Sequence, residues 1–266
     1  MKRALSKLNI PEPLPKPRNK CLTMFTDLGC GIHEQEDCMD VAADFVDLAK
    51  FATSMCATLP EDVVKAKIAS YQKYGVEPFT GGVQFEKALY DNGLGICDYY
   101  FTEMKNLGLN VVEISDNYID LRLESKCKII EKGTKDFGLK MLAEAGDEVE
   151  DTPLELLIED CKASLEAGAW KVLLEAAELI DKKTNELRVE YIDAIGEAVG
   201  LENIIFELPW VWLENVHWHQ TFSTMALMIK KLGPHANLGN IEMSMLVYCE
   251  MIRNGAGAKL AKDRTI

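Results

Sequence analysis

The chain lacks any run of about 18 or more apolar residues, the length a membrane-spanning helix requires, so no segment is expected to cross a bilayer. It also lacks a CxxC pair: Cys21, Cys30, Cys38, Cys56, Cys97, Cys127, Cys161 and Cys249 are scattered singly. In a chain of this size that spacing argues for reduced, mostly buried thiols and against a disulfide framework. Positive charge is scarce. With 29 Lys and Arg against 43 Asp and Glu the net charge is -14, and no basic cluster is present to meet a phosphate backbone. Nucleic acid is therefore not an expected partner. The opening segment MKRALSKLNIPEPLPKPRNK is basic and proline-rich but has no apolar core of a secretory signal. It reads as an extended arm, residues 1–20, packing on the domain or on a second subunit, in a cytoplasmic homo-oligomer.

What the chain does have is a series of short apolar runs that end on an acid or an amide. CLTMFTD ends at Asp27, NVVEIS carries Glu113 with Asp116 just beyond, LKMLAE ends at Glu144, WKVLLE at Glu175, NIIFE at Glu207 and HANLGN at Asn240. The intervening stretches have helical periodicity, so the pattern is strand, polar terminus, helix, repeated. Strands buried on both faces read as continuous apolar runs, and in a (β/α)₈ TIM barrel their carboxyl ends converge on one mouth. The predicted strands are 21–27, 46–51, 76–80, 110–114, 139–144, 170–175, 203–207 and 235–239, in a single barrel domain over 21–266. Gly75, Gly108, Gly138, Gly168, Gly200 and Gly233 each precede a predicted strand, where a helix ends on a left-handed residue. Their common phase favours the barrel over the alternative, an open α/β sheet. Pro60-Glu61-Asp62 and Thr152-Pro153-Leu154-Glu155 read as helix starts, the second with Thr152 as cap and Pro153 as first helical residue.

The strand-end acids Asp27, Glu113, Asp116, Glu144, Glu175 and Glu207 are the first candidates for chemistry. Carboxylates crowded at one mouth repel one another unless a cation sits among them, and hard oxygen donors suit Mg²⁺ or Mn²⁺. The alternative for any one acid is a loop cap or an ion pair with Lys50 or Lys140. Lys50 closes the run FVDLA and reads as a base or an anchor for an anionic small-molecule substrate. Gly81 and Gly82, in TGGVQFE, bring backbone amides to the end of strand 3 where an oxyanion could approach. Gly239, Asn240 and Ile241 read as the start of the helix after strand 8, the place where many barrels bind phosphate. PWVWLENVHWH holds Trp210, Trp212, His217 and His219, read as an aromatic lid or subunit contact, with a histidine metal pair as the alternative.

From about Lys16 to Leu260 the chain resembles the phosphosulfolactate synthase family. The resemblance rests on KPRNKCLTMFTDLGCGI, VDLAKF, TGGVQFE, VVEISDN, LAEAG, EAGAWKVLLEA, IIFE and GPHANLGNI. It implies a (β/α)₈ lyase of coenzyme M biosynthesis that adds sulfite to phosphoenolpyruvate with Mg²⁺. It further implies catalytic roles for Lys50, Glu113, Glu175 and Glu207, and a metal among Asp27, Glu113, Glu144 and Glu175. Substrate contacts are implied at Gly81, Gly82, Ser115, Asn237, Gly239 and Asn240. This chain departs from the family pattern at Ala177 and Asp147, where the family carries arginine and lysine. Two dianionic substrates need positive charge. The missing charge is expected from a neighbouring subunit, from Lys140 or Lys171, or from the arm. A relative acting on a less anionic substrate, and a non-catalytic binding or assembly barrel, are the alternatives.

Overall fold

A computed structural model describes residues 4–5, 7–8, 10–147, 151–181, 184, 186–210 and 216–256. Eight parallel strands close on themselves in sequence order: β1 (Thr23–Asp27), β2 (Leu48–Phe51), β3 (Glu77–Thr80), β4 (Val111–Ile114), β5 (Lys140–Ala145), β6 (Lys171–Leu174), β7 (Ile204–Glu207) and β8 (Leu238–Glu242). The helices are α1 (Ile32–Ala42), α2 (Met55–Thr58), α3 (Glu61–Lys73), α4 (Gly82–Asn92), α5 (Cys97–Leu107), α6 (Leu123–Phe137), α7 (Leu154–Glu166), α8 (Ala176–Leu179), α9 (Val189–Val199), α10 (Trp218–Leu232) and α11 (Leu246–Arg253). Among the described residues no helix is long and apolar enough to cross a membrane, and all eight cysteines are free thiols.

Strand side chains alternate between two faces, and the barrel uses this to build two separate cores. Leu48, Phe79, Val111, Leu142, Leu173 and Ile205 point inward with Leu22 and Met24 and fill the barrel interior. The residues between them belong to the larger core between strands and helices. Burying each such side chain contributes about 1.5–3 kcal/mol. One pleat further along each strand, two residues on, the same inward positions are Lys50, Gly81, Glu113, Glu144, Glu175 and Glu207. The apolar layer is therefore the floor on which the polar mouth stands.

The six glycines before the strands all have positive φ, from 63° at Gly138 to 106° at Gly168, a conformation open to glycine without a Cβ penalty. Strand 8 departs from expectation: it starts three residues later than 235 and runs on to Glu242. Its pairing to β1 shifts register between Thr23 and Phe25, and Asn240 sits at φ 51°. This is a bulge, which re-aims side chains at a barrel rim. Pro153 stands one place earlier than predicted, and both it and Pro60 occupy the cap position. Thr152 does not cap α7, because Pro153 holds the cap position; the Thr152 amide donates to Glu178 Oε1 at 3.0 Å.

The arm lies against the amino-terminal end of the barrel. Lys16 Nζ donates to the Gly75 carbonyl at 3.0 Å, Arg18 Nε to Asp47 Oδ1 at 2.8 Å, and Asn19 Oδ1 accepts from Trp170 Nε1 at 2.7 Å. Lys140 packs over the Trp170 ring at 4.2 Å, and Lys171 Nζ donates to the Glu202 carbonyl at 2.6 Å. Residues at the start of a parallel strand lie at the end of the barrel opposite the mouth. Lys140, Lys171 and the arm are thus corrected as sources of positive charge for the site.

Candidate active site

A cavity of about 520 Å³ opens at the carboxyl ends of the strands. Its floor is Thr26, Lys50, Gly81, Glu113, Glu144, Glu175, Glu207 and Asn240. Lys50 Nζ lies 3.1 Å from Glu113 Oε1, 3.1 Å from Glu207 Oε1 and 3.9 Å from Glu144 Oε2. Glu144, Glu175 and Glu207 offer carboxylate oxygens that all fall within 4.8 Å of one another. The four glutamates are each under 5% exposed, so water screens them poorly.

Burial works against the Lys50 ammonium, but Glu113, Glu207 and Glu144 hold it charged, well above the usual lysine range. Burial raises the Glu113 carboxyl well above the ordinary range, with Glu144 and Glu207 adding to the rise despite Lys50. Burial also opposes ionisation of Glu144, yet Lys50 and hydrogen bonds from Glu113, Asn117 and Glu175 bring it below its usual value. The two neighbouring carboxyls are thus pushed in opposite directions, as acids too close to ionise independently are. Four carboxylates against one ammonium leave three negative charges. A divalent cation would offset two of them. The donor set fits such an ion: the cluster offers only hard oxygens, and Glu113 Oε2 is buried with no hydrogen-bond partner.

Lys50, Glu113, Glu144, Glu175 and Glu207 face the mouth as expected, and Asp27 does not. Leu22, Met24 and Thr26 take the inward positions of the first strand, which turns Asp27 toward the helices. There it accepts from Tyr71 Oη at 2.7 Å and from the Gly29 and Cys30 amides at 2.8 and 3.1 Å, and pairs with Lys67 Nζ at 2.8 Å. Asp27 is removed from the metal set. Asp116 also points away, 3.0 Å from Lys126 Nζ. Burial pushes its carboxyl up to about 6 against the pull of that lysine.

The expected substrate contacts are also corrected in part. Asn237 lies below β8, where its side chain bonds the Leu22 amide and the Glu202 and Ile204 carbonyls. Ser115 donates to Glu86 behind the cavity. The Gly81 and Gly82 amides are already used, by the Phe51 carbonyl at 3.0 Å and by Glu113 Oε1 at 2.9 Å. Gly239 faces inward below Glu207, and Asn240 lines the cavity, its Oδ1 accepting from Thr26 Oγ1 at 3.1 Å. Gly239, Asn240 and Ile241 belong to β8, so no helix start stands there. Trp210, His217 and His219 do not line the cavity. His217 caps α10 in a capping box with Gln220, because its backbone is extended there. Trp212 lies outside the described residues.

Sequence reasoning missed Asn117, whose side-chain amide donates to Glu144 Oε1, and Lys126, which is fully buried. Lys126 Nζ donates to the Glu144 carbonyl at 2.5 Å and to Asp160 Oδ2 at 2.8 Å, so it fixes the end of β5. Neither closes an apolar run, and Lys126 reads as one more lysine on an amphipathic helix.

Gly82 tests how tightly the site is built. A Cβ there would lie 2.1 Å from Ser115 Oγ and 3.0 Å from Glu113 Oε1. Gly82→Ala is expected to lower stability by about 1–3 kcal/mol and to weaken divalent-ion binding by displacing Glu113. Thermal melting and calorimetry check this, and wild-type values in both would refute the packing described.

Residues 11–258 match the family model described as (2R)-phospho-3-sulfolactate synthase (ComA). The chain is 32% identical over 252 residues to the phosphosulfolactate synthase of Methanothermobacter thermautotrophicus, covering 90% of this chain and 91% of that one. It is 32% identical over 244 residues to the Methanocaldococcus jannaschii phosphosulfolactate synthase, with 88% and 91% covered. The Bacillus subtilis protein of the same name is 27% identical over 259 residues, with 93% and 95% covered. Among solved structures, phosphonopyruvate hydrolase in complex with oxalate and Mg²⁺ aligns with a TM-score of 0.54 at 10% identity, covering 88% of this chain and 83% of that one. Truncated 3-deoxy-D-arabino-heptulosonate 7-phosphate synthase from Thermotoga maritima gives 0.52 at 13%, covering 88% and 85%. At such identity these two speak for the barrel alone. The family match spans all eight strands and every glutamate of the cavity floor, and the chain is accordingly a lyase that belongs to the phosphosulfolactate synthase family.

Proposed function

We propose that this chain adds sulfite to phosphoenolpyruvate at the cavity floor, with Mg²⁺ held by Glu144, Glu175 and Glu207. The observation that carries the reading is the single buried ammonium of Lys50 facing four buried glutamates inside a barrel of this family. A divalent ion there supplies charge that stabilises the substrate carboxylate as it takes up electron density. The protein's own groups do the rest. Asn117 and Lys50 hold Glu144 in place through its two oxygens. As the sulfite sulfur forms its bond to the methylene carbon, the double-bond electron pair moves to the carbon bearing the phosphate ester. That carbon takes a proton from Lys50, which Glu113, 3.1 Å away, is placed to restock.

One observation favours a second reading. Among the described residues lining the cavity, Lys50 is the only basic one. Ala177 and Asp147 stand outside the lining, so they neither supply nor remove charge at the floor. A family member with the same metal and enolate chemistry on a less anionic substrate suits this wall better. The non-catalytic reading has no such support, because an assembly surface does not call for four buried glutamates around a lysine.

The test is direct. Purified protein with phosphoenolpyruvate, sulfite and Mg²⁺ is expected to form a sulfonated phosphoester, followed by ³¹P NMR, and chelation is expected to stop it. No product, with fold and divalent-ion binding intact, would transfer the assignment to the second reading.

A further inference from the structure

The cavity has two unlike sides. Its proposed metal-binding acids come from β5, the residue that follows β6, and β7, while Leu28, Ala52, Met55, Leu59, Val83 and Tyr118, contributed by the segments that follow β1 to β4, form an apolar wall opposite. Leu28 and Tyr118 are 62% and 63% exposed, so they overhang the opening and are not part of the core. The wall is nevertheless built. Buried Asp27 pins the Leu28–Gly29 turn through the Gly29 amide at 2.8 Å, and buried Glu86 pins Tyr118 through its amide at 2.6 Å. Between them Thr53, a β-branched residue, is held at φ 45°, a strained conformation of the kind found at ligand clamps.

Small, wholly anionic substrates would leave this wall wet. Covering it releases about 25 cal/mol per Å² of apolar surface. We propose that the wall receives an apolar substituent of the substrate, so that the preferred ligand is a 2-oxo or enol carboxylate with a hydrocarbon or aryl group. The carboxylate head lies at the acidic floor and the substituent against Met55, Leu59 and Val83. The proposal rests on the second reading above, a family member with the same metal chemistry on a less anionic substrate, and it names that substrate's class. Asp27 and Glu86 then act as positioning residues, one for each rim of the wall.

Calorimetry on the full chain with Mg²⁺ tests it, titrating oxalate, pyruvate, 2-oxobutyrate, 2-oxopentanoate and phenylpyruvate. Affinity is expected to rise about fourfold per added methylene, the equivalent of about 0.8 kcal/mol for each buried CH₂, and to be greatest for the aryl compound. Leu59→Asn and Val83→Asn are expected to flatten that dependence. Oxalate and pyruvate binding in a Mg²⁺-dependent way, with affinity level or falling along the series, would overturn the apolar subsite and leave the metal floor standing. Failure of every 2-oxo acid to bind with Mg²⁺ present would overturn the floor as well.

Discussion

Lys50→Met is expected to lower turnover at least a thousandfold and, at the same time, to tighten divalent-ion binding on the order of tenfold. The first effect follows from the loss of the proposed proton donor, which is also the only basic residue among the described lining of the cavity. A positioned general acid is worth about 10²–10⁴ in rate, and removing a buried charge that faces an anionic substrate costs about 2–5 kcal/mol. The second follows from sign. The ammonium lies 3.1 Å from Glu207 and 3.9 Å from Glu144, two of the oxygen donors, so it competes with any cation for the same charge. Removing a like charge at such a separation favours the ion by several kcal/mol before screening. Methionine is used because it keeps the length of the side chain. The metal-free variant is expected to melt well below wild type, since removing one partner of a buried ion cluster costs about 3–5 kcal/mol, and to recover with Mg²⁺. Turnover within tenfold of wild type, or weaker metal binding, would remove Lys50 from the centre of the mechanism.

Saturating Mg²⁺ is expected to raise the melting temperature by about 5–10 °C, and by more at pH 8 than at pH 6. An ion present at about a hundred times its Kd adds about 2.7 kcal/mol, and in a domain of this size each kcal/mol moves the midpoint by about 2–4 °C. The pH dependence comes from the carboxyls that burial pushes up, Glu113 first and Asp116 to about 6. A carboxyl whose folded pKa exceeds its unfolded value favours the folded state while protonated. That contribution is full below the unfolded value near 4 and falls away as pH rises through the folded value. For Asp116 the window runs from about 4 to about 6, and Glu113 shifts in the same direction. Glu144, shifted the other way, opposes this only below its usual range. The metal-free protein therefore weakens as pH climbs, and a cation among Glu144, Glu175 and Glu207 offsets the part of that loss that comes from Glu113, not the part from Asp116, which points away from the cavity. Glu175→Gln and Glu207→Gln are expected to abolish most of the Mg²⁺ gain. Asp27→Asn is expected to lower the melting temperature, because it removes the carboxylate charge that pairs with buried Lys67, while the metal affinity holds. A Mg²⁺ gain that survives in both glutamine variants would place the ion elsewhere.

Much of this was legible in the chain itself. Apolar runs that end on acids, and six glycines at a common phase before them, are enough for a barrel with a polar mouth, because strand burial and helix termination are local physics. The inward set is legible too: Leu48 and Lys50, Val111 and Glu113, Leu142 and Glu144 are two apart, and period two puts each pair on one face. Counted the same way from Leu22 and Met24, Thr26 points inward and Asp27 outward, so the sequence held the correction to the metal set. Position along a strand likewise assigns Lys140 and Lys171 to the far end. Only the tertiary structure decided the rest. Asp27 is taken by Lys67 and Tyr71, 40 and 44 residues away, and Glu144 is fixed by Lys126 and Asn117 from a different segment. The bulge that aims Asn240 into the cavity arises from how β8 must close against β1. Such commitments depend on which side chains the closed barrel brings within hydrogen-bond reach, and nothing in local composition or periodicity encodes a partner that distant.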